Sequence, residues 1–272
     1  MSRSRWAVIA WRLAILLVFL AAWQYLTGIK AISRTPGLYW IDPFFISRPS
    51  AIAERFLYLA SDRVRLTIWQ MALSTVQSTL WGFLVGVSTG FAAGLLLGRH
   101  DRVALVLEPY IVAFNSLPRI ALVPLITMVF GFGLLAKIVL AWTIVFFIVF
   151  FNTFQGARSV DADLVHSARF LGASERQIAT SVIVPSTLAW TFASLTPSIS
   201  FALIGVVVGE FIGGESGGGL GYLIVQSLGT LNAADMMVAL LVLGAIGITM
   251  ALGIKQIEAR LLRWRPEYQK RP

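Results

Sequence analysis

The sequence predicts an all-α integral membrane protein with six transmembrane helices. Three observations carry that reading. Apolar residues make up 57% of the 272-residue chain and charged residues 13%, against about 25% charged in a soluble domain. Several runs exceed the roughly 18 nearly uncharged residues that suffice to span a bilayer as helix. These runs are continuous, whereas the strands of a membrane β-barrel would be short and alternating. The net charge of +9 then reads as Lys and Arg at membrane faces rather than as a nucleic-acid footprint. With no cysteine in the chain, a disulfide framework and a thiolate metal site are excluded.

The first span covers about residues 7–27. Arg3, Arg5 and Arg12 with this apolar run imitate a signal peptide. The run is long, however, and no small-residue cleavage site precedes Trp23, so it is read as a retained helix. An external linker follows to about residue 66, broken by Pro36, Pro43 and Pro49. Within it, residues 51–60 have an amphipathic helical pattern suited to the membrane interface, with Ser50 as a candidate cap.

The second span, about 67–98, carries Gly82, Gly86, Gly90, Gly94 and Gly98 at four-residue intervals. Such a stripe predicts a face against which another helix packs backbone to backbone. After the turn Arg99-His100-Asp101-Arg102, a third span is interrupted by Pro109, Pro118 and Pro124, with Asn115, Ser116 and Arg119 polar inside it. Irregular backbone at membrane depth is tolerated where it is buried in protein or faces a watery cavity. The fourth span covers about 134–154, with Lys137 near its start as a snorkelling anchor. The fifth covers about 186–211 and is followed by the glycine-rich segment 213–221, read as a flexible turn; the sixth covers about 236–257. The predicted organisation is residues 1–66 as first span and linker, 67–258 as a core of five spans, and 259–272 as a basic tail.

Six spans put both termini on one face. The N-terminus, the 99–102 turn, the polar segment 158–185 and the tail share it and hold most of the cations, which makes it cytoplasmic. Lys30, Arg34, Arg48, Arg55, Arg63 and Arg65 in the linker run against that bias.

Enzyme chemistry finds no foothold. No phosphate-cradling G-x-x-x-x-G-K-[ST] loop is present. Residues 131–136 match a dinucleotide fingerprint but lie between two spans, with no acidic residue about 20 positions on. His100 and His166 are too few for a metal cluster. Ionisable residues inside the spans carry more information, because a charge there costs a few kcal/mol unless it pairs, snorkels or faces a cavity. Arg119 either lines a path and attracts an anion or pairs with Glu108, Glu210 or backbone. Glu210 either lines a gate or caps a helix end. Asn115 and Ser116 either line the path or satisfy the backbone freed by Pro118.

The polar segment 158–185 carries its own helix signals. Asp161 or Asp163 can cap a first helix, and Gly172 can end it in the left-handed conformation. Ser174 with Gln177 has capping-box spacing, and Pro185 closes the segment and starts the next span. The predicted product is a shaped polar knob at the membrane surface.

This segment resembles the cytoplasmic E-A-A loop of the permease subunits of binding-protein-dependent ABC importers. The motif falls on His166, Ser167 and Ala168, then Gly172, then Val182, Val184 and Pro185, with Ala, Gly and Pro in register and His166 in place of the leading Glu. The runs N-S-L-P-R-I-A-L-V-P at 115–124 and E-F-I-G-G…G-L-G-Y at 210–222 resemble the nitrate, sulfonate and taurine branch. The resemblance implies a type I importer permease fold in a bacterial inner membrane and a pathway subunit without an ATPase site. It implies two such chains, two ATPase subunits that bind ATP and Mg, and a periplasmic or lipid-anchored solute-binding protein. His166, Ser167, Ala168, Gly172, Ala173, Ser174 and Pro185 would form the ATPase-coupling loop; Asn115, Ser116, Arg119 and Glu210 are candidates for the path of a small anion such as nitrate, a sulfonate or an aromatic carboxylate. The competing reading is an ion-gradient-driven secondary transporter, which would place carboxylates near the midplane and often an internal repeat. Here Asp and Glu lie mostly at the faces.

Overall fold

The computed structural model describes residues 3–29, 35, 38 and 41–262. Lys30, Arg34 and Pro36 of the linker and residues 263–272 of the basic tail lie outside the described residues, as do the side chains of Arg3 and Arg5. Among the described residues, five helices are long and apolar enough to cross a membrane, or six if the sharply bent pair counts as one span. The chain forms two compact units, residues 1–72 with 223–243, and residues 73–222 with 244–272.

In the first unit, α1 (Arg3–Leu26) has no buried residue in its most apolar stretch, as a lipid-facing helix requires. Gln24 near its end donates from Nε2 to Ser50 Oγ and accepts from Ser50 N, both at 3.0 Å. Asp42 caps the short α2 (Pro43–Ile46). The helix α3 (Pro49–Ala60), expected at the membrane interface, begins one residue earlier than the candidate cap. Pro49 takes the first helical position, where its missing N–H is no loss, so Arg48 is the cap residue and the Ser50 hydroxyl is spoken for by Gln24.

The second unit contains most of α4 (Ile68–Gly98), then α5 (Asp101–Ser116), a 3₁₀ turn (Arg119–Leu122), α6 (Val123–Phe130) and α7 (Leu134–Arg158). The surface segment follows as α8 (Ala162–Phe170) and α9 (Glu175–Ile178), leading into α10 (Val184–Gly217) and α11 (Leu220–Gly229). The last helix is α12 (Ala233–Leu261).

Of the three prolines expected to interrupt the third span, only Pro118 breaks it. Leu117 before it is extended (φ −67°, ψ 129°), because a proline disfavours the helical conformation of its predecessor. The chain turns by 80° there. Pro109 lies inside α5 without ending it, and Pro124 sits in the first turn of α6, where no N–H is needed.

The glycine stripe of α4 lies against α7. A β-carbon at Gly86 would fall 2.6 Å from Val145 Cβ, at Gly90 or Gly94 2.7 Å from the carbonyl oxygens of Phe146 or Phe150, and at Gly98 2.6 Å from Ala157 Cβ. One at Gly82 would overlap Ala141. The two backbones therefore approach as closely as glycine allows, which is how helices gain dispersion contacts in lipid. On its other side α7 packs against α10. Ala141, Val145 and Val149 meet Leu195, Ile199, Ala202 and Val206, with Phe83 completing the cluster. The Thr153 and Thr191 hydroxyls meet at 2.9 Å within this interface.

Two further expectations are corrected. Pro185 does not begin a new helix. The helix runs on from Glu175 into the membrane, and the five-residue π turn Ala179–Ile183 immediately before the proline absorbs its lost hydrogen bond and ring bulk. Nor is 213–221 a flexible turn. Gly214 (φ 57°, ψ −155°) kinks the end of α10, and α11 begins at Leu220, so the glycines make a tight reversal with Gly219 and Gly221 against Glu210.

Candidate functional site

The surface hairpin is built from its caps. Asp161 Oδ1 accepts from Asp163 N at 2.8 Å and starts α8. Gly172 (φ 81°) ends it, and two bonds close the turn: Ala173 N to Ala168 O at 3.0 Å and Gly172 N to Arg169 O at 2.9 Å. That pair is the Schellman arrangement, which satisfies the last carbonyls of a helix and needs a left-handed residue. Ser174 and Gln177 then form a full capping box for α9. Arg169 Nε donates to Glu175 Oε1 at 2.8 Å, tying the two arms together. His166, Ser167, Gly172 and Ser174 are exposed, and Ala168 and Ala173 half-buried. Pro185 lies apart from this cluster, in the helix above it.

Two residues absent from the sequence reading stand out at the tip. Phe170 and Leu171, just before the glycine, are 92% and 88% exposed. An apolar pair in an otherwise polar surface loop is the signal that marks them.

A second site lies at the break in the third span. Asn115, Arg119, Phe147, Phe151, Asn152 and Phe201 are among the residues lining a cavity of about 660 Å³. Arg119 pairs with neither Glu108 nor Glu210. Its Nη2 donates to Asn115 Oδ1 at 2.5 Å, and its guanidinium lies 5.0 Å from the centroid of the Phe147 ring. Its Nε is buried without a hydrogen-bond partner among the described residues. Ser116 turns away, donating to Val112 O of its own helix.

Glu210 is not part of that cavity. It is fully buried with Lys137, which corrects the snorkelling expectation: the Lys137 side chain is 4% exposed, and its Nζ lies 3.2 Å from Glu210 Oε1. Lys137 also donates to Ser74 Oγ at 2.9 Å. Thr75 Oγ1 donates to Glu210 (2.9 and 3.1 Å to its two oxygens) and accepts from Leu220 N at 3.0 Å. Glu210 Oε2 accepts from Gly221 N at 2.9 Å. Glu210 thus caps the start of α11 and joins it to α4, α7 and its own α10. Lys137 starts only the first turn of a long apolar helix, and nothing local reveals that its partner lies 73 residues on.

Residues 82–263 match the family of binding-protein-dependent transport system inner membrane components. The chain belongs to this family. Among curated relatives, the permease is 30% identical to the aliphatic sulfonates transport permease SsuC of Bacillus subtilis, over 93% of this chain and 86% of that one. It is 28% identical to the taurine transport permease TauC of Escherichia coli (85% and 84% covered). It is 30% identical to the riboflavin transport permease RibX of Chloroflexus aurantiacus (93% and 88% covered). Among solved structures, an amino acid ABC transporter superposes with a TM-score of 0.58 at 18% identity, covering 78% of this chain and 97% of that one. The MetNI methionine ABC transporter gives 0.56 at 18% identity, covering 74% and 98%. The permease therefore has the type I importer fold and is the membrane-spanning pathway subunit of an ABC importer, a subunit that is not itself an enzyme.

Proposed function

We propose that the permease is moved from the cytoplasmic side through the hairpin 162–178 and carries a small anion along a path that passes Arg119. The observation that carries the coupling half is mechanical. The hairpin presents Phe170 and Leu171 to solvent at its tip, and its second arm is continuous with the membrane span of α10. A push on the tip therefore reaches the membrane core across one tight hydrogen-bonded turn. The occupant that fits an exposed apolar tip on a stiff arm is a cleft on an ATPase subunit.

In this reading two copies of the chain form the pathway, and two ATPase subunits, which bind the ATP and Mg, dock beneath them. A periplasmic or lipid-anchored solute-binding protein delivers the solute from outside. Both termini face the cytoplasm of a bacterial cell. Closure of the ATPase pair on ATP favours the outward-open arrangement by binding it more tightly, and hydrolysis releases that bias. The relative named for aliphatic sulfonates, together with a single guanidinium at the broken span, supports an anion as cargo.

Gly172→Arg tests the coupling. A side chain there is strained at φ 81° and bulky at the tip. We expect loss of co-purification with the ATPase and loss of ATP-dependent uptake, with the permease still folded in the membrane. Intact assembly and uptake would overturn the reading, as would uphill transport by the chain alone in lipid without nucleotide.

A further inference from the structure

We propose that the cavity at the bend of the third span is a transit site selective for a monoanion with an uncharged apolar body, such as an aryl or alkyl sulfonate, over a bare inorganic anion or a zwitterion. The inference rests on the anion reading above and narrows it.

The volume of about 660 Å³ lies within the roughly 300–1,000 Å³ typical of small-molecule sites. It far exceeds what a nitrate would fill. Arg119 is the one ionisable side chain among the described residues that line it. Its Nε–H is buried without a partner among the described residues, so the guanidinium is under-satisfied, and its charge at the cavity wall favours an anionic head. Asn115, which accepts from Arg119 through Oδ1, also lines the cavity and sets a neutral amide beside the guanidinium. Phe147 covers the guanidinium face and fixes its plane. Asn152 adds one neutral amide, which donates to Ile148 O, and the other walls, Phe151, Phe201 and aliphatic side chains, are apolar.

These features discriminate by desolvation. An apolar body gains by leaving water for the Phe-lined wall, by about 25 cal/mol per Å² covered. A nitrate satisfies Arg119 but leaves the wall wet. A zwitterion such as taurine brings an ammonium group into a wall with no carboxylate among the described lining residues, and an unpaired buried charge is costly. The Phe147 ring face, which could otherwise attract a cation, is already occupied by Arg119.

The natural absence of cysteine allows a direct test. Ile204→Cys places one thiol in the cavity wall. Its labelling by a small water-soluble maleimide is followed in the assembled importer in lipid, with and without ATP, in the presence of benzenesulfonate, methanesulfonate, taurine or nitrate. The expected result is that benzenesulfonate slows labelling by about tenfold at saturation, leaving about a tenth of the thiols reactive at any moment. Methanesulfonate should protect less, and taurine and nitrate little. Arg119→Gln should abolish protection and Arg119→Lys retain part of it. Equal protection by all four solutes, protection that survives Arg119→Gln, or no labelling under any condition overturns the proposal. ATP-driven uptake by the Arg119→Gln importer separates the two levels. If uptake falls while protection is indiscriminate, the anion path stands and the selectivity fails. If uptake is unchanged, the path itself fails.

Discussion

Lys137 Nζ and Glu210 Oε1 lie 3.2 Å apart in a pocket from which both side chains are almost wholly screened from solvent. Around them Thr75 and the Gly221 amide donate to Glu210, and Ser74 accepts from Lys137. A β-carbon at Gly221 would fall 2.6 Å from Val207 O, and one at Gly219 would overlap the Glu210 carboxylate, so the glycines exist to let the backbone reach the pair. One ion pair thereby fastens the start of α11 to three membrane helices.

Breaking that pair from one side leaves the other charge buried. Lys137→Met and Glu210→Gln should each destabilise by about 3–5 kcal/mol, while the double variant should recover most of the loss. Thermal unfolding of the purified permease in lipid reads this. Single variants that unfold like the parent would show that the pair is hydrated in the assembled protein.

The α4–α7 contact depends on missing side chains. Gly90→Ala puts a methyl group 2.7 Å from the Phe146 carbonyl oxygen, which is backbone and cannot swing away. Overpacking of this kind costs about 1–3 kcal/mol. Gly229→Ala, where an added β-carbon meets nothing within 4 Å, is the control and should be close to neutral by the same unfolding measurement.

At the hairpin tip, Phe170→Ser with Leu171→Ser should leave the fold intact, because both side chains are nearly fully exposed. Solute-stimulated ATP hydrolysis by the assembled importer should fall at least about tenfold, as expected when an apolar anchor leaves an interface. Unchanged hydrolysis would place the docking surface elsewhere on the loop.

The same hairpin has a pH signature. The hydrogen bond from Arg169 holds the Glu175 carboxyl below its ordinary value. A lowered folded-state value means that the bond's contribution is present above the usual carboxylate range and is lost as pH falls through the folded-state value. Amide exchange across 168–177 should therefore accelerate on acidification beyond its intrinsic pH dependence. Glu175→Gln should remove that excess.

In the first unit, Arg55 meets Asp235 through two parallel bonds, Nε to Oδ1 at 2.5 Å and Nη2 to Oδ2 at 2.9 Å, and Asn232 adds a third to the same carboxylate. The fork geometry makes the pair stronger than a Lys pair would be. Arg55→Lys should cost on the order of 1 kcal/mol in unfolding, and Arg55→Ala with Asp235→Ala should be less than additive in a double-mutant cycle.

The sequence by itself determined the helical membrane class, the approximate spans, a third span broken by proline though not at which proline, the glycine face of α4 and the caps of the hairpin. Each depends on run length, a fixed period or residues within five positions of one another, so the information is local. Only the tertiary structure decided that Lys137 and Glu210 are partners, that Arg119 stacks on Phe147 beside a cavity, and that the hairpin arm continues through Pro185 into the membrane. The first two join residues 73 and 28 positions apart. A charge in lipid demands a partner but does not name it, because side chains that satisfy the same demand are distributed along the whole chain. The third turns on a π turn that relieves the proline, a backbone adjustment for which the residue pattern has no distinct sign.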